Sequence, residues 1–305
     1  MKNLLLFLIL LIQFVSYSQV GIEIPKYQDA NYINHAGYAV SYNHHYRQAN
    51  WVAYVLTRSK LNKVTDRENE FYVDPLISET DNEIDYKGSG YDRGHLSPAS
   101  DNSYSEITMK ESFYYSNMSP QVPGFNRGVW KKMEEQVRDW SELYDSLYVV
   151  TGPVLTPDLP QIGPHKISVP TYYYKVVLDF HKGKEKVIGF LIKNESSSLT
   201  IQNFVKSIDE IEAITKIDFF YQIADDIENK LESSIMINSW NWNYNRNTIT
   251  NTNSKKTSNT KKQKIEEKPL TNEKPCESIQ CSGFTQSGTR CKRKTNNCNG
   301  RCYQH

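Results

Sequence analysis

The sequence predicts an α+β domain built on a mainly antiparallel sheet flanked by helices. Three observations carry that expectation. Four apolar, β-branched and aromatic runs have the length of strands, and two of them flank a short Gly-containing break. Two further segments place apolar residues at helical spacing or open with a helix start signal. The two kinds alternate irregularly, whereas a doubly wound parallel sheet requires regular β-α alternation.

Taken in order, the chain opens with a targeting signal. Lys2 precedes the apolar run Leu4 to Val15, interrupted only by Gln13, and Ser16 and Ser18 occupy the −3 and −1 positions of a cut before Gln19. Residues 1–18 therefore read as a signal peptide of an exported protein, bound for the periplasm or the medium. The run falls short of the about 20 apolar residues of a membrane span, so the mature chain is expected to have none. Asn50–Thr57 and Ser146–Leu155 read as buried strands. Thr171–Phe180 and Lys186–Asn194 surround "HKGK", with Gly183 in the turn, and read as a β-hairpin. Gly128–Tyr144 sets Val129, Met133, Val137 and Trp140 along one helical face. A second helix follows Ser207, whose spacing to Glu210 is that of a capping box. No internal repeat is present.

The globular part is expected over residues 19–237. Residues 238–275 are rich in Asn, Thr and Lys and poor in aliphatics, the composition of a disordered linker. All five cysteines fall in the remaining module, residues 276–305. The net charge of +1 hides an asymmetry. From Asn241 onward there are 13 Lys and Arg against 4 Asp and Glu, so a mildly acidic body carries a basic tail.

The chemistry-bearing stretch is "YDRGHLSPAS", Tyr91 to Ser100. Asp92-Arg93-Gly94-His95 alone suits a charged turn as well as a site. Cleaving a phosphodiester needs a nucleophile, charge neutralisation on phosphate and a proton for the departing oxygen. Histidine has an unperturbed pKa of about 6.5 and takes a proton from water near neutral pH, so His95 is the candidate general base. Arg93 offers a planar fork that matches phosphate oxygens. Gly94 is expected to let the backbone turn tightly and approach phosphate, and Asp92 to orient neighbouring groups or metal-bound water.

Two downstream blocks follow the tetrapeptide in order: Ser116-Asn117-Met118-Ser119-Pro120-Gln121, then Asn126-Arg127-Gly128-Val129-Trp130 with Glu134 four residues on. Together the three blocks resemble the DNA/RNA non-specific endonucleases, the endonuclease G and Serratia nuclease-like family with a ββα-metal active site. The resemblance runs from about Gly21 to Ser234. It implies that Asn126 binds a single Mg2+, with Mn2+ as a substitute, and that Glu134 holds the metal's water. Eight residues separate the two, which puts them within about 80° on a continuous helix. The alternatives stay open: Asn126 as a helix N-cap and Glu134 as a solvent-facing residue. The resemblance also aligns Arg67 with an upstream transition-state arginine, and Asn117 and Gln121 with positions that organise the site by hydrogen bonding. The chain departs from the family pattern at Ser97 and Ser100 of "LSPASD" and at Lys216, where relatives often have Gly.

In the tail, Cys281, Cys291, Cys302 and His305 have the ligand types of a closed tetrahedral zinc site. Cys276 and Cys298 then remain for a disulfide, and two disulfides with one free thiol are the competing arrangement. Lys292, Arg293, Lys294 and Arg301 could retain DNA through phosphate contacts, or simply form a solvated charged run. The sequence therefore points to an exported, Mg2+-dependent endonuclease acting on DNA and RNA. A non-cleaving nucleic-acid-binding or surface-adhesion protein, with the tail carrying the function, is the second reading. Monomer and homodimer both stay open.

Overall fold

Seven strands form one antiparallel sheet at the centre of the fold. In chain order the strands are β1 (Ile33–Asn34), β2 (Ala39–Asn43), β3 (Gln48–Thr57), β4 (Asp92–His95), β5 (Met118–Gln121), β6 (Ser146–Pro153), β7 (Gln161–Ile162), β8 (Ile167–Ser168), β9 (Tyr172–Asp179), β10 (Lys186–Lys193) and β11 (Val205–Lys206). The large sheet runs β1-β2-β3-β6-β9-β10-β11, and β4 with β5 and β7 with β8 form separate two-stranded ladders. Five helices accompany them: α1 (Glu83–Tyr86), α2 (Glu106–Ser112), α3 (Lys131–Tyr144), α4 (Ile208–Thr215) and α5 (Asp225–Glu232). The computed structural model describes residues 21–28, 31–80 and 82–246, together with Ile279–Gln280 and Lys294–Thr295. The signal segment, the five cysteines and His305 lie outside the described residues.

The antiparallel α+β expectation is met. The two apolar runs predicted as buried strands are β3 and β6, and the predicted hairpin is β9 and β10 in continuous register from Tyr172↔Lys193 to Asp179↔Lys186. Gly183 takes φ +78° in the turn, a conformation that glycine adopts freely.

Strand alternation sorts side chains between two cores. Val52, Tyr54 and Leu56 of β3 face Met133, Val137 and Trp140 of α3. Trp51 and Ala53, from the same strand, face Ile208 and Ile211 of α4 and Leu231 of α5. On β9, Tyr173 and Val177 lie on the α3 side, while Tyr174, Val176 and Leu178 lie on the other. Lys175 shares the parity of Tyr173 and Val177, so a lysine sits fully buried beneath α3.

Two details go beyond the sequence reading. The Ser207–Glu210 capping box forms in both directions at the start of α4. At the other end of the helix Lys216 takes φ +61° and ψ +26°, the left-handed conformation that glycine favours. The departure at this position thus puts a side chain where the backbone prefers none. The second detail concerns the domain end. Residues 238–246, assigned by composition to the linker, pack on the fold instead. Trp240 is 3% exposed and its ring lies 4.4 Å from that of Trp140, with Trp242 at 4.9 Å. Trp140 donates its indole N–H to the Asn241 carbonyl at 2.9 Å. The Asn-rich composition concealed two tryptophans that finish the α3 core.

Replacing Lys216 with Gly should stabilise the protein by about 1 kcal/mol, since a non-glycine residue in this conformation costs about 1–2 kcal/mol. For a domain of this size that is a rise in Tm of about 2–4 °C, read by calorimetry. Trp240→Ala should cost about 3 kcal/mol in denaturant unfolding. A loss under about 0.5 kcal/mol, the size of a surface substitution, would show that the domain ends before this residue.

Candidate active site

The motif residues are assembled by two short strands followed by a helix. β4 pairs with β5 in the register Asp92↔Gln121, Arg93↔Pro120, Gly94↔Ser119 and His95↔Met118. An irregular helical turn, Phe125–Trp130, then leads into α3. β5 is fastened to the large sheet. Tyr173 donates its hydroxyl to the Pro120 carbonyl at 2.9 Å, and Asn194 donates Nδ2 to the same oxygen at 3.0 Å.

Asn117 fixes the loop after the histidine. Its Oδ1 accepts from the Ser97 N–H at 2.8 Å, and its Nδ2 donates to the carbonyls of Ser97 and Ser112 at 2.9 and 2.8 Å. Beside it, the buried Asp74 carboxylate accepts from Ser116 and lies 3.0 Å from His35 Nε2, linking the upstream segment to β5. Two expectations are corrected here. Gln121 does not organise the site through hydrogen bonds: its buried amide nitrogen and oxygen have no partner among the described residues. Its side chain instead packs over Gly94, and a Cβ added at Gly94 would fall 2.1 Å from Gln121 Cδ. Gly94 is required for that close packing, within a strand, and not for a tight turn.

Arg67, Arg93, His95, Asn126 and Glu134 converge on one cleft of about 430 Å³, with Ser100, Arg127, Lys131 and Arg138 also on its walls. Five of these side chains are cationic and one is acidic, which makes the cleft attractive to a polyanion. His95 is 9% exposed and packs edge-on against Phe113 at 4.7 Å. Its Nε2 is buried and has no hydrogen-bond partner among the described residues. Burial, and then the nearby Arg67 charge, push the imidazole pKa down to about 3. The ring is therefore neutral, with a proton-accepting nitrogen, throughout the physiological range. Arg67 lies with its guanidinium 4.9 Å from the Phe113 ring, which holds it beside His95. Arg93 is enclosed by Phe71, Tyr86 and Tyr115, its guanidinium 5.0, 5.7 and 5.9 Å from their centroids. Aromatic faces on this side leave Arg93 oriented by cation–π attraction.

Asp92 has a definite partner set. It accepts from Asn126 Nδ2 at 2.9 Å and from Arg127 Nε at 2.8 Å, with a second bond from the same guanidinium. Because the Asn126 amide nitrogen is committed to Asp92, its amide oxygen is the end left for a ligand. Asn126 is not the N-cap of α3, which begins at Lys131 after Trp130. Nor do Asn126 and Glu134 share one regular helix. The backbone breaks at Gly128 (φ −105°, ψ −110°), so the 80° helical relation does not apply and the kink brings the two residues to the cleft.

Glu134 projects from the first turn of α3 above a buried charge cluster. Arg138 donates to Asp101 at 2.8 Å, and Tyr54 donates its hydroxyl to the same carboxylate at 3.1 Å. Lys175 has no hydrogen-bond partner for its ammonium, which lies 5.0 Å from the Trp130 ring. Burial raises the Glu134 pKa, against the pull of Arg138 and Lys175. Burial lowers that of Lys175, against Glu134 and Asp101. Sequence reasoning missed Arg127, Lys175 and the Asp101–Arg138 pair. Lys175 had left a signal, as the one charged residue within "YYYKVVL". The basic residues Lys292, Arg293 and Arg301 lie outside the described residues, and for Lys294 only the backbone pairing of Lys294–Thr295 with Ile279–Gln280 is described.

Comparison with known proteins agrees with this arrangement. The profile of the DNA/RNA non-specific endonuclease family matches residues 19–226. The mitochondrial nuclease EXOG of Xenopus laevis is 32% identical over 224 residues, 67% of this chain and 62% of that protein, so the chain spans less than two thirds of its length. Nuclease C1 of Cunninghamella echinulata var. echinulata is 32% identical over 208 residues, 62% of this chain and 82% of that protein. A crystal structure of the EndoG/EndoGI complex superposes with a TM-score of 0.61 at 30% identity, covering 67% of this chain and 89% of that one. With three motif blocks converging on one cleft behind two strands and a helix, and a family profile that spans most of the sequence, the chain belongs to the DNA/RNA non-specific endonuclease family.

Proposed function

We propose that the protein is an exported endonuclease that hydrolyses phosphodiester bonds of DNA and RNA with His95 as general base and a single Mg2+. The observation that carries the proposal is a neutral His95 imidazole on a cationic cleft that also receives Asn126. The residues fit a hard cation. The Asp92 bond fixes the Asn126 amide with its oxygen free, and Glu134 stands at the same cleft to hold the ion's water. A bound Mg2+ would supply Lewis-acid stabilisation of charge on the phosphate and the leaving oxygen.

The protein's own groups perform the rest. His95 takes a proton from water at an imidazole nitrogen as the water oxygen bonds to phosphorus; the P–O ester bond breaks, and the departing oxygen takes a proton from solvent water. Arg67 lies beside His95 and stabilises charge that accumulates on the non-bridging oxygens. Asp92 holds Asn126 and Arg127 in place. Asn117 keeps the loop after His95 from shifting. Every one of these groups addresses phosphate, water or metal, so little base selectivity is expected. The reading of the terminal segments completes the proposal. The signal segment ends near Ser18, and Cys281, Cys291, Cys302 and His305 hold structural zinc.

A plasmid-nicking and RNA-cleavage assay tests the mechanism directly. His95→Ala should lower turnover on both polymers by about 10²–10⁴-fold, the usual worth of a general base, while circular dichroism stays unchanged. EDTA should abolish cleavage by the wild type. Wild-type-like turnover in the variant refutes the role of His95, and binding without cleavage by the wild type returns the non-cleaving reading. An NMR titration of the metal-free protein checks the imidazole. The His95 ring signal should not move between pH 5 and 8, because the folded ring gains its proton only near pH 3. The unfolded ring titrates near 6.5, so the unfolded state binds more protons over this window and acidification from 6.5 towards 3 costs stability. A midpoint near 6.5 in the folded protein contradicts the buried, neutral base.

A further inference from the structure

On the sheet face opposite α3, α4 and α5 bring together acidic residues that the catalytic cleft does not use. Asp209 and Glu212 lie three residues apart on α4 and share a face. Glu232 closes α5. One carboxylate oxygen from each of the three lies within 4.8 Å of the others.

A second, independent observation points to a missing partner. Glu232 is 9% exposed, and its Oε1 is buried with no hydrogen-bond partner. Glu228, one turn earlier on α5, has a buried Oε1 in the same condition. Glu212 has committed one oxygen to the Phe219 N–H at 2.7 Å. The charged groups that act most strongly on Glu232 are Glu212, Glu228, Asp209 and Asp218, all of them acidic. Burial and this repulsion raise Glu212 to about 7 and Glu232 to about 8. A buried carboxylate without a donor or a cation is costly. Asp209 is exposed, so the cluster opens to solvent at one end.

We propose that Asp209, Glu212 and Glu232 form a calcium site that ties α4 to α5. All three donors are carboxylate oxygens, the ligand type of a hard divalent ion, and Ca2+ accepts the irregular geometry and added waters that a two-helix site offers. Ile208 and Ile211 of α4 and Leu231 of α5 pack into the core on this face of the sheet. The ion therefore stabilises the fold and takes no part in phosphodiester chemistry. The site is independent of the catalytic reading.

Thermal unfolding of the full chain tests it, with wild type, Glu232→Gln, Asp209→Asn and Asn126→Ala measured in EDTA and then in CaCl2 or MgCl2 at equal ionic strength. CaCl2 should raise the Tm of wild type and Asn126→Ala alike, by about 5 °C at a hundredfold excess over Kd. Glu232→Gln should show no rise, and in EDTA it should match or exceed wild type because one repelling charge is gone. Asp209→Asn, an exposed substitution, should lose the response as well and serves if Glu232→Gln does not fold. The proposal is overturned by a wild type that ignores CaCl2, by a response that survives in both carboxamide variants, or by one lost in Asn126→Ala. In Asn126→Ala, a rise with MgCl2 equal to that with CaCl2 overturns the assignment to calcium.

Discussion

The buried charges between the large sheet and α3 constrain everything above them. Arg138 on α3 bonds to Asp101, which lies in the turn that follows the histidine loop, and Tyr54 on β3 bonds to the same carboxylate. One ion pair thus sets the distance between three elements: the helix that carries Glu134, the loop that follows His95, and the sheet. Taking both charges out of water is expensive, and such a pair is a weak source of net stability. Losing one partner is a different matter, since it strands the other in the interior at a cost of about 3–5 kcal/mol. The pair therefore acts as a geometric constraint. Lys175 completes the cluster with a charge that no hydrogen bond satisfies, held over the Trp130 ring and near Glu134. Cations that the sheet and its own helix supply oppose the rise that burial imposes on the Glu134 pKa.

The cleft itself separates two electrostatic tasks. Cationic side chains give it an attraction for phosphate, yet the central imidazole stays neutral because burial and the Arg67 charge oppose its protonation. An imidazole that already carried a proton could not accept one from water. The same arginine that repels a proton from His95 stands where negative charge is expected to gather. Asp92 joins the two halves of the site, anchoring Asn126 and Arg127 from the strand that carries His95.

Much of this was legible in the sequence because it is local. Strand runs, the Gly183 turn, the Ser207 capping box and the order of the three motif blocks depend on residues near each other in the chain. What escaped depends on distant contacts. The kink at Gly128 has no periodic signature, and it undid a relation between Asn126 and Glu134 that assumed a straight helix. Trp240 and Trp242 sat within an Asn-rich stretch whose average composition outweighed two aromatic side chains that α3 needed. Asp101 and Arg138 are ordinary charged residues until folding places them together. Lys175 was different: a lysine in the middle of an apolar strand was an anomaly open to inspection, and the strand's parity alone places it beneath α3.

The contact between Gly94 and Gln121 bears on how such proteins diversify. The third position of the tetrapeptide is held small by a side chain from the neighbouring strand, and any methyl group there would collide with it. Gly94 cannot gain a side chain unless Gln121 moves aside. A library that randomises the tetrapeptide while keeping Gln121 is biased towards glycine at position 94. One that varies both positions together opens combinations that single substitutions never reach. The two sites should accordingly covary across descendants of this chain, as a packing pair hidden inside a catalytic signature.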